Sequence, residues 1–100
     1  MNKAFTSDEF KNLIIDRDKA DRLIVEESII SDTDLEGFDM TNIKFKLCSF
    51  ENCNLIGADF SGSSISGTLF RECPMHRCRF VGSDMTEAIF RDIDLSDSDL

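Results

Sequence analysis

The chain has 100 residues, enough for one domain, and carries a formal net charge of −9. Because a duplex-binding surface needs clustered Lys and Arg, this charge excludes ordinary direct binding to nucleic acid and favours a basic protein surface as partner. No apolar run is long enough to span a membrane and no secretory leader opens the sequence, so we expect a soluble cytoplasmic protein without a membrane partner.

The first twenty residues (1–20) form a segment of their own, in which the sequence predicts a short capping helix. Thr6 and Glu9 have the spacing of a capping box, and Phe5 and Phe10 have that of a hydrophobic staple. We therefore predict a helix from about Ser7 to Lys19, which covers the following region as a lid.

From residue 21 to residue 100 the sequence repeats every five residues. Every fifth position is apolar, and we call these positions the centres: Val25, Ile30, Leu35, Met40, Phe45, Phe50, Leu55, Phe60, Ile65, Phe70, Met75, Phe80, Met85, Phe90, Leu95 and Leu100. Most residues two positions before a centre are small. All five glycines lie two positions after a centre, as expected if the backbone bends there. A period of five matches neither an α-helix nor a flat strand.

Individual repeats resemble a known family. Three of them resemble the A-[DN]-[LF]-x-x unit of pentapeptide-repeat proteins: ADFSG at 58–62, CNLIG at 53–57 and SDMTE at 83–87. The resemblance covers residues 21–100 and implies an all-β solenoid, a right-handed quadrilateral β-helix with four repeats per coil and about four coils. In that fold the centre and the small residue two before it point inward.

If twenty residues make one coil, residues twenty positions apart stack on each other. The centres then form columns of like side chains, as a close-packed interior requires; two of these columns are Ile30/Phe50/Phe70/Phe90 and Met40/Phe60/Phe80/Leu100. The same register predicts three ladders of opposite charge on the outside: Asp59/Arg79/Asp99, Glu26/Lys46 and Glu51/Arg71.

The cysteines and the single histidine are the candidates for a metal site or a catalytic centre. Cys48, Cys53, Cys73 and Cys78 follow the repeat frame rather than C-x₂-C spacing. All four occupy the small inward position, so we interpret them as reduced packing residues. His76 points outward without an orienting partner, and no phosphate loop or hydrolase motif occurs. The sequence therefore predicts no enzyme, no metal site and no cofactor.

One side of the predicted coil gathers acids without Lys or Arg. We call it the acidic face, and its members are Asp32, Asp34, Glu36, Glu72, Asp92 and Asp94. Two interpretations stay open: the face keeps the protein soluble, or it binds a protein by imitating a nucleic-acid backbone. Resemblance to the quinolone-resistance members of the family implies the second, with DNA gyrase or another topoisomerase as partner. The density is about one charge per 3.3 Å against about one per 1.7 Å in duplex DNA, so a single copy imitates DNA only partly.

A second candidate surface, the apolar–arginine patch, lies on the neighbouring side. It comprises Ile29, Leu69, Ile89, Arg71 and Arg91. Adjacent apolar residues beside arginine are typical of protein contacts, and ordinary scatter of surface residues is the alternative.

The C-terminal end has no predicted lid, because Leu100 is itself a centre. Solenoids need caps. We therefore expect either that the chain is a fragment of a longer protein or that two copies meet end to end as a homodimer through the last coil.

The function that we predict is a non-catalytic protein–protein interaction module with an acidic surface. One alternative is a DNA-mimic modulator of DNA gyrase of the quinolone-resistance type, and another is a bacterial effector or structural repeat domain. An end-to-end dimer would favour mimicry, because it doubles the acidic face.

Overall fold

The structure, a computed structural model, describes the backbone of residues 3–100 and the side chains from residue 4 onward. Its elements in chain order are β1 (Lys3–Phe5), α1 (Ser7–Asp16), β2 (Leu23–Glu26), β3 (Ser28–Ser31), β4 (Ile43–Lys46), β5 (Ser49–Glu51), β6 (Leu69–Arg71) and β7 (Ile89–Arg91). Five of these strands form one sheet in the order β1-β3-β5-β6-β7, and β2 and β4 form another. No helix in this part of the chain is long and apolar enough to cross a membrane.

The chain winds as a parallel β-solenoid. From β2 onward, paired strands join residues twenty positions apart, so that Phe50 lies beside Phe70 and Phe70 beside Phe90. Isolated parallel bridges, among them the one between Asp34 and Asn54, continue the same register where no strand is formed. The predicted solenoid and its twenty-residue interval are confirmed.

Each repeat turns at the residue two positions after the centre, as the glycines predicted. There the glycines have φ between 65° and 71°, and the other residues have φ between 50° and 60°: Glu27, Asp32, Asn42, Leu47, Asn52, Glu72, Arg77, Glu87, Asp92 and Asp97. Asn and Asp tolerate this left-handed conformation better than most residues. The turn column therefore accounts for part of the surface charge without any reference to binding.

The interior is filled by the centres. The rings of Phe50 and Phe70 stack at 5.0 Å and those of Phe70 and Phe90 at 5.1 Å, with interplanar angles of 3° and 7°. Phe60 and Phe80 stack in the next column at 5.4 Å. These contacts confirm the predicted columns of like side chains.

The four thiols occupy the small inward positions, as predicted. All four cysteines are buried and unpaired by disulfides. Each S–H donates to a backbone carbonyl of the preceding coil, and the shortest such contact joins Cys78 Sγ to the carbonyl oxygen of Leu55 at 2.9 Å. The cysteines thus contribute packing volume and satisfied donors.

The helix covers the first coil through the predicted N-terminal motif. Thr6 Oγ1 accepts from the Glu9 amide at 3.2 Å, and Glu9 Oε1 accepts from the Thr6 amide at 3.0 Å. The rings of Phe5 and Phe10 meet at 5.5 Å, and the ring of Phe10 lies 5.9 Å from that of Phe50. Phe10 therefore closes the top of the phenylalanine column.

The predicted end of the helix is wrong: α1 ends at Asp16, not Lys19. The backbone of Arg17 is extended (φ −65°, ψ 148°), which lets its guanidinium leave the helix axis. That guanidinium donates to the Ile14 carbonyl at 2.7 Å, to Asp39 at 3.2 Å and to the Thr41 carbonyl at 3.0 Å. The helix stops where this anchor to the solenoid begins.

Strand β1 was not predicted. It pairs in parallel with β3, with Phe5 opposite Ile30, and so adds a short stretch of strand above the first coil. Three residues are too few to show a five-residue period, and the pairing depends on a partner far away in sequence.

The last row of the solenoid is less buried than the others. Leu100 is 71% exposed, and Phe90 and Leu95 are only partly buried. The structure thus leaves apolar centres open at this end, as expected from Leu100 being a centre.

Candidate functional site

The acidic face is one flat side of the solenoid, and all six of its carboxylates are exposed. Asp32, Asp34 and Glu36 lie together in one row, and Asp92 and Asp94 lie three coils away. At about 4.8 Å per coil this separation is roughly 14 Å. The face therefore carries two acidic clusters rather than a continuous band.

Residues without a carboxylate separate the two clusters at all but one position. The intervening positions are Asn52, Asn54, Ile56, Pro74 and His76, with Glu72 the one acid among them. The two asparagines connect to the first cluster through side-chain hydrogen bonds: Asn52 Nδ2 donates to Asp32 at 2.8 Å, and Asn54 Nδ2 donates to Glu36 at 3.2 Å.

Short turns hold two of the carboxylates in place. The Glu36 amide donates to Asp34 at 3.2 Å, and the Ser96 amide donates to Asp94 at 2.8 Å. The bond from the Ser96 amide, followed by the Ser96 hydroxyl and the nearby His76, lowers the pKa of Asp94. Asp94 therefore stays ionised below the usual pH range of an aspartate.

Acids elsewhere on the solenoid are compensated by bases. Arg79 lies 3.9 Å from Asp59 and 4.0 Å from Asp99, and Arg71 lies 2.9 Å from Glu51. These contacts confirm two predicted ladders, and the strand register confirms that Glu26 stacks on Lys46. None of the six carboxylates of the acidic face, by contrast, lies within 4 Å of a Lys or Arg nitrogen in residues 4–100.

Arginines border the acidic face at its corners. Arg71 and the two acids Asp32 and Glu72 line one shallow groove of about 300 Å³. Arg77 occupies the turn at the opposite corner with φ 60°. A partner that binds the acidic face therefore meets positive charge at both edges, and this limits the width of the basic surface that fits.

The apolar–arginine patch adjoins the acidic face across the Arg71 corner. Ile29 and Ile89 are 48% and 47% exposed, and Leu69 is half-buried. Leu69 lies directly beside Ile89, whereas Ser49 separates it from Ile29. The structure thus brings part of the patch together.

Leu47 extends this patch and was missed by the sequence analysis. It is 57% exposed, and its Cδ2 lies over Gly67, 2.9 Å from where a Cβ on that glycine would stand. Leu47 is the only large apolar residue in the turn column, where its φ of 54° is costly for a side chain of this kind. This departure from the turn column is visible in the sequence and could have identified Leu47 as a candidate contact residue.

His76 is half-buried, between Ile56 and Ser96 in its column. No group of three or more His, Cys, Asp or Glu within the described residues is arranged to hold a metal ion.

The family follows from comparison of the sequence with family models. The model for pentapeptide repeats matches residues 28–67 and 63–100, with eight copies of the repeat. The chain belongs to the pentapeptide-repeat family. No curated protein sequence matches the chain.

Solved structures support the same fold for this pentapeptide-repeat chain. One trypsin-treated variant of QnrB1, a plasmid-mediated fluoroquinolone resistance protein, has 23% identity and a TM-score of 0.50 over 75% of this chain and 47% of that chain. A second such variant has 24% identity and a TM-score of 0.51 over 78% of this chain and 51% of that chain. The chain thus spans about half the length of QnrB1, and the likeness is one of fold.

Proposed function

We propose that this pentapeptide-repeat chain is a non-catalytic protein-interaction module that binds a basic surface of a protein partner through its acidic face. The observation that carries the proposal is the contrast in charge compensation. Asp59, Asp99 and Glu51 lie beside arginines. On the acidic face, by contrast, the carboxylates accept hydrogen bonds from backbone or side-chain amides, and none lies within 4 Å of a Lys or Arg nitrogen in residues 4–100.

Uncompensated carboxylates on a rigid face suit recognition of a basic partner. The parallel pairing holds the columns at fixed spacing, so little conformational entropy is lost when they are bound. Complementary charge also raises the association rate and suppresses wrong partners.

The apolar–arginine patch gives the same module a second contact. It meets the acidic face at Arg71, so one partner can cover both surfaces. Exposed Leu47 and Ile89 then supply apolar area that carboxylates cannot.

The test is affinity capture from a lysate of the source cell, with one charge-reversed double variant of the acidic face and one control double variant. Asp92→Lys with Asp94→Lys reverses one acidic cluster. The matched control is Glu87→Lys with Asp84→Lys, which lies outside the acidic face. Glu87, like Asp92, has a left-handed backbone, and Asp84, like Asp94, accepts a hydrogen bond from the amide two residues later. We expect the first variant to lose the captured partner and the control to keep it. Equal capture by both would rule out the acidic face.

A second candidate is the DNA-mimic modulator of DNA gyrase that family resemblance suggests. The observation in its favour is the column of Asp32, Glu72 and Asp92, whose carboxylates recur along the rod axis. The neutral row that contains Asn52 reduces the match to a phosphate backbone. A supercoiling assay with and without a quinolone tests it: inhibition or drug protection by the wild type, lost in the Asp92/Asp94 variant, supports mimicry, and no effect of folded protein excludes it.

We further propose that residues 21–100 form the repeat domain with 1–20 as its cap, that the protein acts in the cytoplasm, and that the open last row joins two copies end to end. Mass in solution tests the last point. A dimer that Leu100→Asp converts to a monomer supports it, and a monomeric wild type contradicts it.

A further inference from the structure

The edge of β2 that faces the helix is unpaired. Within residues 3–100, β2 has one neighbour, β4, whereas β3 on the next side of the coil has both β5 and β1. The first coil is thus covered by an added strand on one side and left open on the adjacent side.

The ladder pattern shows which backbone groups are open. Ser64 lies one coil beyond β4, and both its backbone N–H and its C=O point at β4. Its amide donates to the Ile43 carbonyl, and its carbonyl accepts from the Phe45 amide. Ile24 stands in the same column as Ser64. By this register the N–H and C=O of Ile24 point away from β4, toward the helix side, where no described strand receives them.

A cleft lies beside this edge. It has a volume of about 800 Å³, and its apolar lining includes Phe5, Leu13, Leu23 and Ile24. The Ile24 side chain is 58% exposed. An exposed apolar groove beside open backbone donors and acceptors is the arrangement that accepts an extended peptide as an added strand.

Strand β1 shows that this end of the solenoid accepts such a strand. Its three residues lie over β3 in parallel register, with Phe5 opposite Ile30. A strand over β2 would repeat that arrangement on the next side of the same coil. The edge therefore needs no rearrangement of the strands below it.

The charge around the cleft selects the peptide. The acidic residues that line the cleft include Asp16, Asp18 and Asp21, and the basic residues that line it are Arg17 and Arg22. Arg17 does not count as free charge, because its side chain is 4% exposed and bonded to Asp39. The rim is therefore acidic and favours Lys or Arg on either side of an apolar residue.

We infer that the β2 edge binds an extended segment of another protein, with apolar residues flanked by Lys or Arg, as an added β-strand. This site lies at the helix end of the rod and does not involve the acidic face. If the β2 edge binds no peptide, the proposed function of the acidic face is unaffected. If the acidic face binds no partner, the inference about the β2 edge is likewise unaffected.

The experiment is an NMR titration of the full ¹⁵N-labelled chain. The probe is a pool of lysine-flanked heptapeptides whose inner residues are Val, Ile and Thr. We expect shifts at the amides of β2 and slower hydrogen exchange at the Ile24 amide. A backbone N-methylated pool should bind about tenfold more weakly or worse, because it lacks the donors for an edge. A glutamate-flanked pool should lose about as much, because of the acidic rim.

A variant of the protein tests the same edge. Ile24→Pro removes the open N–H of the edge. Because that N–H points away from β4, the substitution removes no hydrogen bond between β2 and β4. We expect about a tenfold loss of peptide affinity. Ile24→Val keeps the N–H and should bind like the wild type. Absence of β2 shifts at millimolar peptide, equal binding of the N-methylated pool, or shifts confined to the acidic face would each overturn the inference. The N-methylated pool decides the matter even if Ile24→Pro does not fold.

Discussion

The phenylalanine column allows the sharpest test of how the solenoid is held together. Phe70 is fully buried and stacks on both sides, on Phe50 at 5.0 Å and on Phe90 at 5.1 Å. It also meets Phe60 edge to face at 5.9 Å. Phe70→Ala removes all three contacts and leaves a cavity in the middle of the rod, because the backbone ladders on either side prevent collapse.

The cost of Phe70→Ala follows from transfer and cavity contributions. Phe→Ala in a core costs about 3–5 kcal/mol. A domain of this size has roughly 5–15 kcal/mol of stability in total, so the variant loses a substantial share of it. Phe90→Ala serves as the comparison: Phe90 is half-buried and stacks on one side only. We expect it to cost roughly half as much as Phe70→Ala.

Urea unfolding followed by circular dichroism measures both variants. We expect a large fall in the urea midpoint for Phe70→Ala and a smaller one for Phe90→Ala. A Phe70→Ala midpoint within error of the wild type, or a larger loss in Phe90→Ala, would refute the register of the column.

Three further predictions concern the turns, the anchor and the thiols. Leu47→Gly should raise the free energy of unfolding by roughly 0.5–1 kcal/mol, since glycine adopts its left-handed backbone without strain, and a lower urea midpoint would contradict this. Burial alone would raise the pKa of Asp39, but hydrogen bonds from Lys19 and Thr41 outweigh it and hold the pKa well below 3.8. The unfolded state therefore takes up the proton first, and stability falls as the pH drops below about 4. Asp39→Asn should flatten that fall in urea midpoints measured across the acid range, and an unchanged slope would show that Asp39 does not contribute. Burial raises the pKa of Cys78 to about 11, so iodoacetamide at neutral pH should label the Cys78 thiol only after unfolding, and rapid labelling of Cys78 in native protein would contradict the packing.

The periodic part of the fold could be predicted because each coil repeats the same physical requirements. The inward centres must be apolar, and the turn after each centre requires a residue in the left-handed backbone conformation. The pattern seen at Phe60 and Gly62 therefore recurs throughout residues 21–100. The columns and two charge ladders followed from that frame alone, because stacking twenty residues apart is a simple consequence of it.

The parts that do not repeat could not be predicted in the same way. Strand β1 depends on a distant partner, and the early end of the helix depends on Arg17 reaching Asp39 and Thr41. Neither contact has a local pattern in the sequence.

The candidate site was predicted only in outline. Residue types and register were enough to place the acids on one side. Their division into two clusters could have been worked out from Asn54 and Pro74, but the asparagine hydrogen bonds and the Arg71 groove required side-chain positions. The cleft beside Ile24 could not be anticipated, because it arises between α1 and β2, where no repeat relates the two.

The central claim, that the acidic face is where a partner binds, is tested most directly by site-specific photo-crosslinking in the source cell. A photoreactive amino acid at His76 lies within the acidic face, and one at Val81 lies on another side at 46% exposure. We expect a discrete protein adduct from position 76 that is abolished by Asp92→Lys with Asp94→Lys, and no adduct from position 81. An adduct from Val81 alone, or one from His76 that survives the charge reversal, would contradict it.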